Sequence, residues 1–443
     1  MTRDVPRFSE MTMTADRPVR IGAAVRRIAM AVSVAGLVAC AGPERQVPKL
    51  DPARVQQFEA KGYPAAHQYP VSQVDELRVV QGRPFRLVWT RPQQAGPHPL
   101  VVYLPGAGQD ALANESWRNA LAQAGYAVLS WQALPDDEQR PQGDLRQWAS
   151  QRFASDALQQ RTNLLAQLMA DLTRAQAAGE PGLQRVNLKL AALAGYDLGA
   201  YTAQWAAGEH VNHMREASAS TLAGAFKAFI WLSPYASFSQ GGFDTRYADL
   251  NAPILTITSD RDTDPFGLVS ASYLRTAPFG GMPAGQKFML MLGGASHDDL
   301  GGREGRERLG GDGDVGGRQG AGPGGKGGAE GSGPGGDGDG ADGPGGSGGG
   351  LPPGGGRGGR GGGMGGSGGG GGHGGGPGGR GGPGGSREGR AVSPTQQAMQ
   401  RAAVTTVSIA FLDAWLQDDA LARNWLSEQA PRWLKPVGDL HGK

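Results

Sequence analysis

The chain is 443 residues long with a formal net charge of +2 and a single cysteine. These values exclude an intrachain disulfide framework and argue against a strongly charged partner such as nucleic acid. The length holds one large domain of about 250 residues plus additions, and about fifty of the 77 glycines lie between Gly301 and Arg390, so two unlike materials share one chain.

At the N-terminus, Arg20, Arg26 and Arg27 precede an apolar stretch, Ile28 to Ala39. It is too short to span a bilayer but suits the apolar region of a secretory signal. Leu37-Val38-Ala39-Cys40 resembles the bacterial lipobox, in which the cysteine is lipidated and becomes the mature N-terminus. That resemblance implies a signal peptide over 1–39 and a lipid anchor at Cys40 in place of a transmembrane helix. Ala41, where an aspartate would retain the protein, implies the outer membrane, facing the periplasm. The long polar lead from Met1 to Pro18 places Met11 and Met13 as alternative starts. Residues 40–74 have no sustained period and read as a tether.

Strand signals follow. Leu77–Val80 and Phe85–Thr90 flank a Gln81-Gly82-Arg83-Pro84 turn and predict a hairpin. Leu100–Leu104 and Tyr126–Trp131 are short apolar runs around a helical Trp117–Gln123. From Ala154 to Ala177, Leu158, Leu165, Leu168 and Leu172 recur at helical spacing, and a strand follows over Leu188–Ala194. Phe229–Leu232, Ile254–Thr258 and Lys287–Leu292 predict further strands, with a helix over Val269–Arg275. Strands alternating with helices predict a three-layer α/β domain over 75–300 with a mostly parallel sheet. Residues 301–391 hold Gly, Pro and charges of both signs with almost no apolar side chains, and read as a disordered insertion. Their Arg-Gly-Gly units, as at Arg357 and Arg380, lack aromatic neighbours and give no nucleic-acid reading. Thr395–Leu416 then predicts a helix with Val404, Val407, Phe411 and Trp415 on one face, returning the chain to the domain within a C-terminal 392–443 segment.

The chemistry gathers at Gly195-Tyr196-Asp197-Leu198-Gly199. Glycines two residues either side of a central residue are the pattern of a strained strand-to-helix turn that exposes a nucleophile above a sheet. Here the central residue is Asp197. Downstream, Pro253–Asp262 resembles the strand and turn that deliver a catalytic-triad acid, with Asp262 at the matching position and Asp260 and Asp264 as neighbours that spacing leaves open. His297 directly follows the last predicted strand through small residues. Upstream, Leu104-Pro105-Gly106-Ala107-Gly108 follows the third strand, so the Ala107 and Leu198 N–H groups are the candidate oxyanion donors.

In this order the motifs resemble the α/β-hydrolase superfamily, over about Leu77–Leu300 plus the helix ending near Asp418. Gly195-Tyr-Asp-Leu-Gly-Ala-Tyr-Thr-Ala and Phe411-Leu-Asp-Ala-Trp-Leu are similar to its dienelactone-hydrolase-like and acetylhydrolase-like branch. The resemblance implies hydrolysis of ester or lactone substrates by Asp197, His297 and Asp262, without a large helical cap, metal or cofactor. Only Ser233 to Ala252 separates the two strands between which a cap would insert.

An aspartate at the nucleophile position permits three readings. As a nucleophile, it gives a reversible mixed anhydride from an ester carbonyl but a stable alkyl ester from a saturated carbon, as in haloalkane dehalogenases and epoxide hydrolases. As a general base, it leaves water to attack. As a relic, it marks a binding protein on a hydrolase scaffold. The tryptophan that commonly follows an aspartate nucleophile is Leu198 here.

Overall fold

The structure, a computed structural model, describes residues 48–134, 143–211, 222, 224–302 and 392–443. The expected signal peptide, Cys40 and nearly all of the glycine tract lie outside the described residues.

Nine strands form one sheet in the order β1-β2-β4-β3-β5-β6-β7-β8-β9. β1 (Val71–Val80) and β2 (Arg83–Pro92) make the expected antiparallel hairpin. Its two-residue turn has positive φ at both Gln81 (51°) and Gly82 (79°), the twist that suits a tight hairpin. β3 (His98–Leu104), β4 (Ala127–Ala133), β5 (Val186–Tyr196), β6 (Ala228–Leu232), β7 (Ile254–Arg261) and β8 (Lys287–Ser296) run parallel, and β9 (Gly438–Gly442) closes the edge antiparallel to β8. This is an α/β fold built on a mostly parallel sheet with helices on both sides.

Strand periodicity divides the core. Val101 and Tyr103 point to one face, where they pack with α2 (Glu115–Gln123) and the long C-terminal helix. Leu100, Val102 and Leu104 point to the other, covered by α4 (Ser155–Ala177) and α5 (Leu198–Ala206). With α1 (Pro52–Glu59), α3 (Leu145–Arg152), α6 (Phe243–Arg246), α7 (Ala277–Gly281) and α8 (His297–Leu300), the C-terminal helix is α9 (Pro394–Leu416). Both faces are apolar because a parallel strand is covered twice, which explains the unbroken hydrophobic runs.

Three expectations change. The described part of the tether is not featureless: α1 packs on α9, Asp51 N–H donates to Thr395 Oγ1 (2.8 Å), and Phe58 stacks on Trp433 with ring centroids 4.3 Å apart. These partners lie more than 340 residues downstream, beyond any local pattern. The sheet also begins earlier, at Val71. In place of a helix over Val269–Arg275 there is a 3₁₀ turn, Ser272–Thr276, followed by α7. Asp264 holds the N–H groups of Leu268 and Val269 in a loop, and Pro278, which has no N–H to satisfy, starts the later helix.

Candidate active site

β5 ends at Tyr196 and α5 begins at Leu198, so one residue makes the whole turn. That residue, Asp197, has φ 51° and ψ −108°, a conformation that a side chain adopts at a cost. The turn needs both glycines. A Cβ at Gly195 would lie 2.3 Å from the Gly199 carbonyl, and one at Gly199 would lie 2.0 Å from the Leu104 carbonyl oxygen. The strained turn thus rests directly on the end of β3, which continues into the Pro105–Gly108 loop. Gly106 is equally constrained: a Cβ there would meet the Tyr196 ring at 2.5 Å.

This contact sets the carboxylate. Ala107 N–H donates to Asp197 Oδ2 at 3.2 Å. Asp197 Oδ1 faces His297 Nε2 across 3.8 Å, too far for a hydrogen bond. Asp197 accepts no bond from the first N–H groups of α5, so Leu198, although adjacent, does not engage the carboxylate. Asp197 is only 2% exposed. Burial pushes its carboxyl above the ordinary carboxylate range, and nearby Asp264 adds to the rise. His297, Arg275 and the Ala107 N–H oppose it without cancelling it.

On the far side of the imidazole, His297 Nδ1 lies 2.7 Å from Asp262 Oδ1. Ser233 Oγ sits 2.8 Å from the same carboxylate oxygen and 2.9 Å from Nδ1, and Thr258 Oγ1 donates to Asp262 Oδ2 at 2.8 Å. The buried Arg275 guanidinium lies 3.2 Å from Asp262 Oδ1 and also donates to the carbonyls of Asp262, Ser233 and Pro234. Burial alone would raise the Asp262 carboxyl; Arg275, His297 and Thr258 together outweigh it and hold the group below its ordinary range. His297 is fixed from behind as well. Tyr196 OH donates to its carbonyl at 2.9 Å, and a Ser296/Asp299 capping box starts α8 at His297.

The structure therefore brings together Asp197, His297, Asp262 and Ala107, with Gly195 and Gly199 as the supports of the turn. Among the three candidate acids, Asp262 is the one bonded to the imidazole. Asp260 instead accepts from the Gly294 N–H (2.6 Å), and Asp264 accepts from the N–H groups of Phe266 and Val269. Sequence reasoning missed Ser233 and Arg275. Ser233 ends β6 with φ 54°, but an isolated serine after a strand carries no pattern. Arg275 was expected on a helix, where spacing would not aim it inward.

A cavity of about 390 Å³ opens beside the turn, bounded by the Leu104–Gln109 loop, the start of α5, α3, α4, the start of β2 and the end of β4. Gly106 and Leu198, neighbours of Ala107 and Asp197, are among its walls; Asp197 and His297 are not. No group of three or more metal-ligating side chains occurs among the described residues. No family model matches the chain, and no curated protein matches it.

Proposed function

We propose that the chain is a hydrolase of the α/β-hydrolase fold, of the kind without a large cap, that cleaves esters or lactones through Asp197. Support for the fold is the strand order with the strained turn after β5, the acid after β7 and the histidine after β8. The connection between β6 and β7 contains only a 3₁₀ turn and the four-residue α6, which leaves no room for a helical cap. The N-terminal signal and lipobox support export, with Cys40 as a lipid anchor in the outer membrane and the glycine tract as a disordered insertion before α9. A small-molecule substrate is the partner of the site.

The observation that carries the mechanism is the split engagement of the Asp197 carboxylate: Oδ2 takes the Ala107 N–H, and Oδ1 faces His297. A substrate carbonyl attacked by Asp197 would need that same N–H for its developing oxyanion. Attack by Oδ1 at the saturated carbon of the C–O bond avoids the conflict. The electron pair of that bond leaves with the carboxylate of the ester or lactone, and the alkyl group passes to Oδ1. Water then loses a proton to His297, oriented by Asp262, and attacks Cγ of Asp197. The resulting oxyanion forms on Oδ2, already against Ala107. Collapse expels the alkoxide, which takes the proton from His297. Epoxides and haloalkanes fit the same displacement, but Leu198 supplies no side-chain donor to a halide.

A second reading, a binding protein without turnover, is favoured by the near-complete burial of Asp197 and by its absence from the cavity wall. Oxygen-18 water separates turnover, which incorporates the label, from binding, which does not, and a single turnover separates the hydrolytic routes. Displacement puts the heavy oxygen on Asp197 and none in either product, whereas general-base attack at the acyl carbon puts it in the acid product. Asp197→Ser supplies the parallel arm, because a serine between these glycines near His297 should react with a fluorophosphonate. If the variant labels while wild type turns over no ester, lactone, epoxide or haloalkane, the binding reading holds; a folded but unlabelled variant removes the triad itself.

A further inference from the structure

The cavity beside the turn contains a second, unexplained feature. Trp131 is 7% exposed, and its indole Nε1 is buried without a hydrogen-bond partner. Arg83 Nε is likewise buried and unpartnered. Both side chains line this one cavity. Trp131 pairs with Leu87 across β2 and β4, and Arg83 lies four residues before Leu87, so the two side chains leave the sheet on the same face, the one that α4 covers. Buried N–H donors are seldom left unsatisfied, so two in one cavity define a place for an acceptor.

The rest of the wall specifies the acceptor's charge. Arg83 itself brings a positive charge to it, and no acidic side chain lines it among the described residues. Leu198 and Gly199 bring the start of α5, whose first N–H groups have no acceptor within the helix and form the positive end of its dipole. A neutral acceptor would satisfy the two donors but gain little from this field. We propose that the cavity binds the oxyanion of an organic acid, a carboxylate or a phosphate monoester, through the Trp131 indole N–H and the Arg83 Nε–H. Resting on the hydrolase reading above, the same site holds the charged end of the substrate while its chain runs past Gly106 and Leu198 toward Asp197.

Binding can be read without turnover, by tryptophan fluorescence and thermal shift on the full chain. The probes are butyrate and butyl phosphate, with 1-butanol and butylammonium as neutral and cationic counterparts. Saturable binding of either anion, and not of the counterparts, is expected; which anion binds more tightly identifies the headgroup. Trp131→Phe, which keeps an aromatic ring and removes the N–H, and Arg83→Gln should each weaken that binding about tenfold or more. Asp197→Asn should leave it intact. Equal binding of 1-butanol, or unchanged anion affinity in both Trp131→Phe and Arg83→Gln, overturns the site. So does anion binding that appears only when Asp136, Asp137 and Glu138, next in the chain after β4, are changed to Asn, Asn and Gln, since the cavity would then be filled from within the chain. Anion binding with oxygen-18 neither on Asp197 nor in any product removes the hydrolytic reading and keeps the site; labelled Asp197 without anion binding does the reverse.

Discussion

Asp262 and Asp197 flank the same imidazole and are almost equally buried, yet the protein treats them in opposite ways. Asp262 receives His297, two hydroxyls and the Arg275 guanidinium. Asp197 receives one 3.2 Å backbone N–H and looks at His297 across a gap. Burial pushes both carboxyls up, and only Asp262 has enough partners to reverse the effect. Desolvation thus acts on both carboxyls, and the number of donors decides its outcome. The well-partnered carboxylate is fixed in a network; the poorly partnered one, on a strained turn, is held by a single backbone N–H.

The largest effect should come from removing the cation that supports the networked side. Arg275→Met leaves Asp262 buried without its countercharge and strips donors from the Ser233 and Pro234 carbonyls. A loss of about 3–5 kcal/mol is expected, measured as a lower urea midpoint at unchanged slope. A loss below about 1 kcal/mol, the scale of an exposed pair, would mean that the contrast between the two carboxylates does not depend on Arg275.

Smaller effects of opposite sign are expected from neutralising each carboxylate. Asp262 is held below its unfolded value, so its contribution is present above that value and lost as pH falls through the folded value. Asp262→Asn should therefore cost about 1–3 kcal/mol at neutral pH, with the deficit closing in acid. Asp197 is held above its unfolded value, near 3.9 for a free aspartate, so the folded state loses stability as pH rises past that value and carries the whole penalty once above the folded one. Asp197→Asn should accordingly stabilise the protein by about 0.5–2 kcal/mol at neutral pH, with the gain vanishing in acid. Melting curves of both variants from acid to neutral pH should diverge in opposite directions from wild type. Parallel curves would break the comparison.

What could be read in the sequence follows the range of the interactions. The strained turn was legible because Gly195 and Gly199 lie within four residues of each other and meet through local backbone contact. The β1–β2 hairpin was legible for the same reason, its turn lying between adjacent apolar runs. Asp262 and His297 were legible by their order after strands, although only the fold separates Asp262 from Asp260 and Asp264. Arg275 and Ser233 were not, since their partners are 13 to 64 residues away and neither belongs to a repeating pattern. β9, Gly438-Asp-Leu-His-Gly, has little strand propensity and exists by pairing with β8. The packing of α1 on α9 and Trp433 was equally hidden.

The smallest effect should come from the glycine tract, which tests whether the comparison inside the site is insulated from the rest of the chain. The folded elements on either side of the tract already meet. Gln397 near the start of α9 lies 3.5 Å from Asp299 in α8, and Gly302 and Gln397 line one small cavity. The tract therefore leaves and re-enters at one place and is not needed to bridge a distance. Closing a flexible loop costs more as it lengthens, by only about 0.6 kcal/mol per doubling. Joining Gly302 to Arg390 should preserve or slightly raise the melting temperature and leave the opposite pH responses of Asp262→Asn and Asp197→Asn unchanged. A fall of more than about 10 °C exceeds the roughly 2–4 °C per kcal/mol expected for a domain of this size, and would place the tract against the core. If the Asp197→Asn gain alone disappeared in the shortened protein, with Asp262→Asn unaffected, the tract would be contributing to the burial of Asp197, and the weakly partnered half of the site would extend into it.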